Sequence, residues 1–240
     1  MDLSTTTVNW HRYAQKYDML LDYNPFYQKL RALVFSKIKH WDFKESDILI
    51  DLGAGTGNYS LPLARQFPLA QVYHIDNNEG MCDLASQKVQ NDQVHNLKIL
   101  RQSVGVTNFK PASISACLCI HSLYTFPNPA NVIQRIYHWM KPGGVGIFVD
   151  PGRTVNVLDW QLAIGWQMIK QHGLWKTIQL LKEGKEISHQ NRQISKLHAE
   201  GIYWKHSHEE FCDTVRAAGF TITESAYCFR GISDMVVVEK

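Results

Sequence analysis

The sequence predicts an α/β fold: a mostly parallel, seven-stranded sheet with helices on both faces, closing on a C-terminal antiparallel hairpin. Three observations carry that expectation. From Ile48 to Val149, short apolar runs alternate with helix-patterned segments, the signature of parallel strands joined by right-handed crossovers. The first run, Ile48–Leu52, contains Asp51 and opens at once into Gly53-Ala54-Gly55-Thr56-Gly57. The last two apolar runs, Phe220–Tyr227 and Met235–Glu239, are separated by a loop too short for anything except antiparallel pairing.

In chain order, Trp10–Lys39 reads as helical, with apolar positions at Leu20, Leu21, Leu30, Leu33, Val34 and Ile38, and Pro25 divides it into two helices. Strands follow at Ile48–Leu52, Gln71–Asp76, Leu97–Arg101, Ser115–Ile120 and Val145–Val149. Helices are expected near Tyr59–Gln66, Met81–Asn91 and Ala130–Met140. The stretch 152–201 stands outside the alternation and reads as two or three inserted helices. Leu158, Leu162, Trp166 and Ile169 form one stripe there, and Trp160, Ile164 and Met168 form a second on the opposite side. A helix apolar on two faces is covered on both. One face rests on the domain; the other covers a pocket, a second subunit or a membrane surface. An apolar lid implies an apolar or aromatic ligand. The expected organisation is a single domain over 1–240: a helical cap (1–45), a cofactor-binding core (46–150), a helical lid (152–201), and a last sheet helix with its hairpin (202–240).

With 240 residues, 45% of them apolar, one continuous core can form. The formal charge of +3 is nearly balanced and there is no long Lys/Arg run, which disfavours a nucleic-acid partner. Met1–Thr7 has neither the basic nor the apolar region of a secretory leader. No apolar stretch reaches the roughly 18 residues that a membrane-spanning helix needs. Five cysteines, an odd number without a Cys-x-x-Cys pair, fit reduced thiols and a cytoplasmic location.

The chemistry concentrates around Asp51. Glycines let the backbone pass close to a ligand, and a strand-to-helix turn presents free N–H groups. Dinucleotide sites use Gly-x-Gly-x-x-Gly; here the third glycine, Gly57, comes one place early and Asn58 fills the vacated slot. The carboxylate of Asp51 beside the loop does not suit a pyrophosphate. It suits a ligand with an ammonium or sulfonium group. Asp76, ending the second strand, can accept hydrogen bonds from ribose hydroxyls.

These residues resemble motif I and the ribose-binding acid of class I S-adenosylmethionine-dependent methyltransferases. The resemblance continues through Asp76-Asn-Asn-Glu-Gly-Met81 with Leu84-Ala85, Leu123-Tyr-Thr-Phe-Pro127-Asn-Pro129, Met140-Lys-Pro-Gly-Gly-Val-Gly-Ile-Phe-Val-Asp150 and Ala217-Ala-Gly219-Phe220. It is similar in particular to the ubiquinone-type, small-molecule members. It implies a Rossmann-like fold, S-adenosyl-L-methionine as cofactor with S-adenosyl-L-homocysteine as product, and no metal. The implied cofactor-binding residues are Tyr17, Asp51, Gly53, Ala54, Gly55, Gly57, Asp76, Asn77, Met81, Gln102, Ser103, Val104, Ile120 and His121. Many members carry Asp where Ser103 stands, to hold the adenine amino group; Ser103 would accept that bond as a weaker, neutral partner. His121 and Tyr124 are the catalytic candidates, each either a base or acceptor-orienting group, or simply cofactor contact and pocket wall. Trp10, Tyr13 and Tyr17 lie on a helix that closes over the cofactor in relatives, with core packing the other reading for Trp10. His198, His206 and His208 read as solvated or pocket-rim residues, since the spacing of His206 and His208 gives a poor pair of metal ligands.

The implied activity is methyl transfer to O, N or C of a small, largely apolar or aromatic acceptor. The alternatives are a cofactor-binding regulatory or partner module with little activity, or an RNA or protein methyltransferase. The nucleic-acid amino form wants Asp/Asn-Pro-Pro-aromatic directly after the fourth strand, where this chain has His121-Ser-Leu-Tyr124. A nicotinamide oxidoreductase fails on the glycine spacing and the C-terminal hairpin. Peripheral membrane contact and a homodimer through 152–201 both remain open.

Overall fold

The computed structural model describes residues 7–240; Met1–Thr6, and with them most of the stretch read for a leader, lie outside it. The helices are α1 (Trp10–Tyr23), α2 (Pro25–Ile38), α3 (Ser60–Gln66), α4 (Glu79–Asn91), α5 (Pro129–Trp139), α6 (Val157–His172), α7 (Leu174–Glu183), α8 (Lys185–Ala199) and α9 (His208–Ala217). The strands are β1 (Ile48–Leu52), β2 (Gln71–Asp76), β3 (Leu97–Arg101), β4 (Ile114–Ile120), β5 (Met140–Pro151), β6 (Thr221–Cys228) and β7 (Ser233–Glu239).

One sheet runs in the order β3-β2-β1-β4-β5-β7-β6. β1 pairs in parallel with β2 and β4, β2 with β3, and β4 with β5. β7 runs antiparallel to both β5 and β6. This is the Rossmann-like arrangement that the alternation and the closing hairpin predict. The strand order reverses between β1 and β4, and in open α/β sheets that switch point, at the carboxyl ends of the strands, is where ligands bind.

The period of two along each strand distributes the core. Leu49, Ala116, Leu118 and Ile147 face one side with α2 and α3, while Ile50, Leu52, Cys117, Cys119 and Phe148 face the other with α5 and α9. All seven residues of β4 are buried. Each fully buried aliphatic side chain contributes about 1.5–3 kcal/mol, so the central strands anchor the loops at their ends.

Local chemistry sets the breaks. Pro25 starts α2 at its first position, and the Asn24 side chain accepts N–H bonds from Phe26 and Tyr27. Ser207 and Glu210 form a reciprocal capping box on α9.

One boundary differs from expectation by more than two residues. β5 begins at Met140 instead of Val145. Met140 pairs with Ile114, Gly143 N–H donates to the Lys240 carbonyl at 2.7 Å, and Lys240 N–H returns to Gly144 at 3.0 Å. A Pro-Gly-Gly turn reads as a breaker, but the chain terminus recruits it into the sheet. The insertion resolves into three helices, α6 to α8. Trp160 and Met168 are buried, whereas Leu158, Leu162, Trp166 and Ile169 are exposed. Within the described residues only one of the two predicted stripes on α6 is covered.

Candidate active site

The loop after β1 is folded against the end of β2. Gly53 and Ala54 both donate their N–H to the Ile75 carbonyl, at 2.8 and 3.1 Å. Gly53 sits at φ +69°, and a Cβ there would lie 2.4 Å from Ser122 Cβ, so only glycine lets the β1 and β4 loops meet. Gly55 N–H then donates to Asp76 Oδ2 at 2.9 Å, while Asp76 Oδ1 accepts from Asn78 N–H at 2.8 Å. Gly55 takes φ +56°, and a Cβ there would meet nothing closer than Met81 Sδ at 3.9 Å, so its inner side is open to a ligand. Gly57 faces Leu61 and shapes the turn from within.

Asp51, Gly53, Ala54, Gly55, Asp76, Asn77, Met81, Val104, Ile120, His121 and Tyr17 all line one cleft of about 110 Å³. Asp51 is buried, and its Oδ2 has no hydrogen-bond partner. Burial first, and then the neighbouring charge of Asp76, push its carboxyl up to about 7. Burial likewise raises Asp76, against the backbone N–H groups that hold it ionised. An orphaned carboxylate oxygen beside an open glycine loop is completed by a cationic group. The residues present therefore fit S-adenosylmethionine, whose amino-acid end is an ammonium beside a sulfonium.

Gln102 and Ser103 do not join them. Gln102 Nε2 donates to Thr107 Oγ1 at 3.1 Å, and Ser103 Oγ accepts from Gly105 N–H at 3.1 Å. Both side chains are used within their own turn, which leaves Val104 as that turn's contribution to the cleft. Conversely, Trp10, Tyr27, Asn58, Ser122 and Phe126 line the cleft without having been singled out from the sequence as cofactor-binding. Asn58 carried a local signal, as the residue displacing glycine in the loop, and Trp10 lay on the helix that the resemblance implies closes over the cofactor. Tyr27, Ser122 and Phe126 arrive from α2 and the turn after β4, and nothing in their local spacing announces it.

A second cavity, of about 210 Å³, lies under the insertion. Trp160, Ile164 and Met168 from α6, Leu180 from α7, and Ile187 and Ile194 from α8 make its apolar wall. Trp10, Tyr17, Tyr27 and His121 border both cavities. His121 takes φ +53° and its N–H donates to the Val149 carbonyl at 2.7 Å. Its Nε2 lies 2.9 Å from Ser233 Oγ, and burial pushes the imidazole down to about 4. Tyr124 lines the second cavity in a 3-10 turn, Leu123–Thr125, with its N–H donating to Asp150 Oδ1 at 3.1 Å. Burial raises its phenol well above the ordinary value, so the hydroxyl keeps its proton.

The expectation of a solvated or pocket-rim His206 is overturned. Its side chain is fully buried, with Nε2 3.4 Å from Asp150 and Nδ1 3.4 Å from Asp234. Burial alone would lower this imidazole; the two carboxylates reverse that and raise it to about 9. Asp234 also meets Arg153 and His208, each at 2.9 Å. The cluster ties the end of β5 to β7 and to the segment entering α9. His198 is buried as well, on the cavity wall rather than in solvent.

Residues 50–148 match the family described as a methyltransferase domain. The chain is 27% identical over 139 residues to the demethylmenaquinone methyltransferase of Lactobacillus johnsonii, covering 57% of this chain and 54% of that protein. The chain thus spans about half the length of that curated relative. Among solved structures, a SAM-dependent methyltransferase from Aquifex aeolicus superimposes with a TM-score of 0.57 at 15% identity, over 85% of this chain and 87% of that one. Phosphoethanolamine N-methyltransferase 2 of Haemonchus contortus, solved with S-adenosyl-L-methionine, gives a TM-score of 0.63 at 13% identity, over 98% of this chain and 60% of that one. These structural likenesses concern the fold. The matched domain over residues 50–148, with the sheet order and the loops at its carboxyl edge, supports a relation to the class I S-adenosylmethionine-dependent methyltransferases.

Proposed function

We propose that this chain is an active enzyme that moves a methyl group from S-adenosylmethionine to O, N or C of a small, largely apolar or aromatic acceptor held under the 152–201 helices. One observation carries this reading: an apolar cavity shares Trp10, Tyr17, Tyr27 and His121 with the cleft that ends in Asp51 and Asp76. A donor site and an acceptor site with a common wall are what direct transfer requires.

In this reading Asp76 holds the ribose, and Asp51 takes the ammonium through its free Oδ2. The backbone of Gly53, Ala54 and Gly55 cradles the amino-acid end, and Asn77, Met81 and Val104 flank the adenine. Ile120 and His121 close the reactive end, with Tyr17 above. When bound, the cofactor supplies a methyl already activated on sulfur. The chain's own residues then orient the acceptor and exclude water, which can account for most of the rate. His121 is neutral and a weak base, and Tyr124 stays protonated, so both serve better as orienting groups than as proton acceptors. Within the single domain, 1–45 caps the cleft, 46–150 holds the cofactor, 152–201 covers the acceptor, and 202–240 completes the sheet. Five free, buried cysteines support a reducing, cytoplasmic setting.

The outward faces of α6 and α7 support a peripheral membrane contact in preference to a dimer. Leu162 is 76% and Trp175 83% exposed, with Leu158, Trp166 and Leu174 also out. Residues 157–199 carry six Lys/Arg against three Asp/Glu, so the +3 of the whole chain equals the surplus in this one segment. Apolar and Trp-bearing helices edged with lysine suit an anionic lipid surface.

Thermal-shift titration tests the central reading. S-adenosylhomocysteine is expected to stabilise the fold and NAD to leave it unchanged. Stabilisation without turnover on any acceptor would favour the regulatory-module alternative.

A further inference from the structure

His198 is a buried polar residue that the reading above leaves without a role. It sits near the end of α8, 1% exposed, and lines the cavity under the lid. Neither Nδ1 nor Nε2 has a hydrogen-bond partner. Its ring packs against Tyr124 at 4.9 Å and Tyr203 at 5.8 Å between centroids. The other orphaned groups of the described residues differ from it: the Tyr59 side chain lines the cofactor cleft, and His74 lacks a partner at Nε2 alone. His74 Nδ1 meets Ser60, and His206 is flanked by two carboxylates. Asp51 faces the cofactor cleft. Among the described residues only His198 combines two unpaired nitrogens with a place on this largely apolar wall, whose other polar members include Gln161, Ser188 and Asn191.

A buried imidazole with both nitrogens unpaired is costly, and such a group is kept where a partner arrives from outside. The partner's chemistry follows from the ring. Burial leaves the imidazole neutral, so it offers one N–H donor and one lone-pair acceptor. It suits an uncharged hydroxyl or carbonyl far better than a carboxylate or phosphate, which would want cations that this wall does not supply. Tyr124, three residues after His121, stands beside it, and His121 borders the cofactor cleft as well as this cavity.

We propose that His198 is a specificity-determining residue that hydrogen-bonds a neutral hydroxyl or carbonyl oxygen on an otherwise apolar acceptor. This rests on the cavity being the acceptor site of a methyltransferase, and it narrows the acceptor to amphipathic molecules with one uncharged oxygen at the reacting end.

The test uses 4-heptylphenol and heptylbenzene as probes, with affinity read from tryptophan fluorescence in the presence of S-adenosylhomocysteine. The wild-type chain is expected to bind the phenol at least tenfold more tightly than the hydrocarbon. His198→Leu should bring the two within twofold, and His198→Gln should keep part of the preference. Affinity for S-adenosylhomocysteine, measured on all three proteins, should not move. His198→Leu should also melt no lower than the wild type without probe, because it removes an unsatisfied buried group; loss of preference would then not be loss of fold. Equal wild-type affinity for the two probes, no binding of either, or a preference that survives in His198→Leu would overturn the assignment. Failure of S-adenosylhomocysteine to bind the wild type would instead strike the methyltransferase reading itself.

Discussion

The cofactor cleft and the cavity under the lid share a wall but are built in different ways. The cleft is built on the loops at the carboxyl ends of adjacent strands, with Trp10, Tyr17, Tyr27 and Phe126 adding to its lining. Gly53, Gly55 and Asp76 are fixed by hydrogen bonds that run from one loop to the next, and Asp51 is held by its place in β1. The cavity is made by side chains from α1, α6, α7 and α8, elements distant in sequence and held together by packing. A site built on loop geometry accepts one ligand shape; a site built on helix faces can change its ligand by changing a few side chains. The difference teaches where to look for each property: the reaction type in the first region and the acceptor in the second.

Substitutions can break the comparison. The largest effect is expected from Asp76→Ala. Two hydrogen bonds to a charged acceptor, each worth about 1.5–3 kcal/mol, imply a loss of S-adenosylhomocysteine affinity of at least about 100-fold by calorimetry. Retained micromolar affinity would remove Asp76 from the ribose role. Tyr124→Phe should sharpen the division, leaving cofactor affinity within about twofold while lowering turnover by about fivefold, the effect of losing one neutral hydrogen bond near 1 kcal/mol. Unchanged turnover would make Tyr124 a wall.

The outer lid comes next. Trp166→Ser with Trp175→Ser should cut flotation with phosphatidylglycerol vesicles several-fold and leave S-adenosylhomocysteine binding intact. Light scattering that shows a wild-type dimer, dissolved by the same pair, would favour the second-subunit alternative. The smallest effect concerns pH. His206 is raised in the folded state to about 9, so its stabilising contribution is complete below the ordinary imidazole value and is lost as pH rises through about 9. The melting temperature of the wild type should therefore fall across that window. His206→Gln should melt lower at neutral pH and lack the step, and an equal step in the variant would assign it elsewhere.

Much of the first region was legible. The acid-glycine loop, the second acid at the end of β2 and the break at Pro25 follow from short-range rules about strand ends, positive φ and capping, which operate within a few residues. Gln102 and Ser103 stand after β3 as expected but do not line the cleft; each polar side chain has a partner within its own turn, a local competition that spacing does not reveal. The second region was legible only as a pattern. Two apolar stripes on α6 required two coverings; they did not say that Trp160 and Met168 face a cavity while Leu162 and Trp166 face outward.

The sequence by itself determined the sheet, its closing hairpin, the glycine loop and the acids beside it, because alternation, turn chemistry and glycine conformations are properties of contiguous residues. Only the tertiary structure decided that His206 lies between Asp150 and Asp234, that His198 is left with two unpaired nitrogens, and that His121 and Tyr17 border both cavities. Those facts depend on which faces of distant helices meet, and burial then sets the charge and hydrogen-bonding state that each side chain keeps.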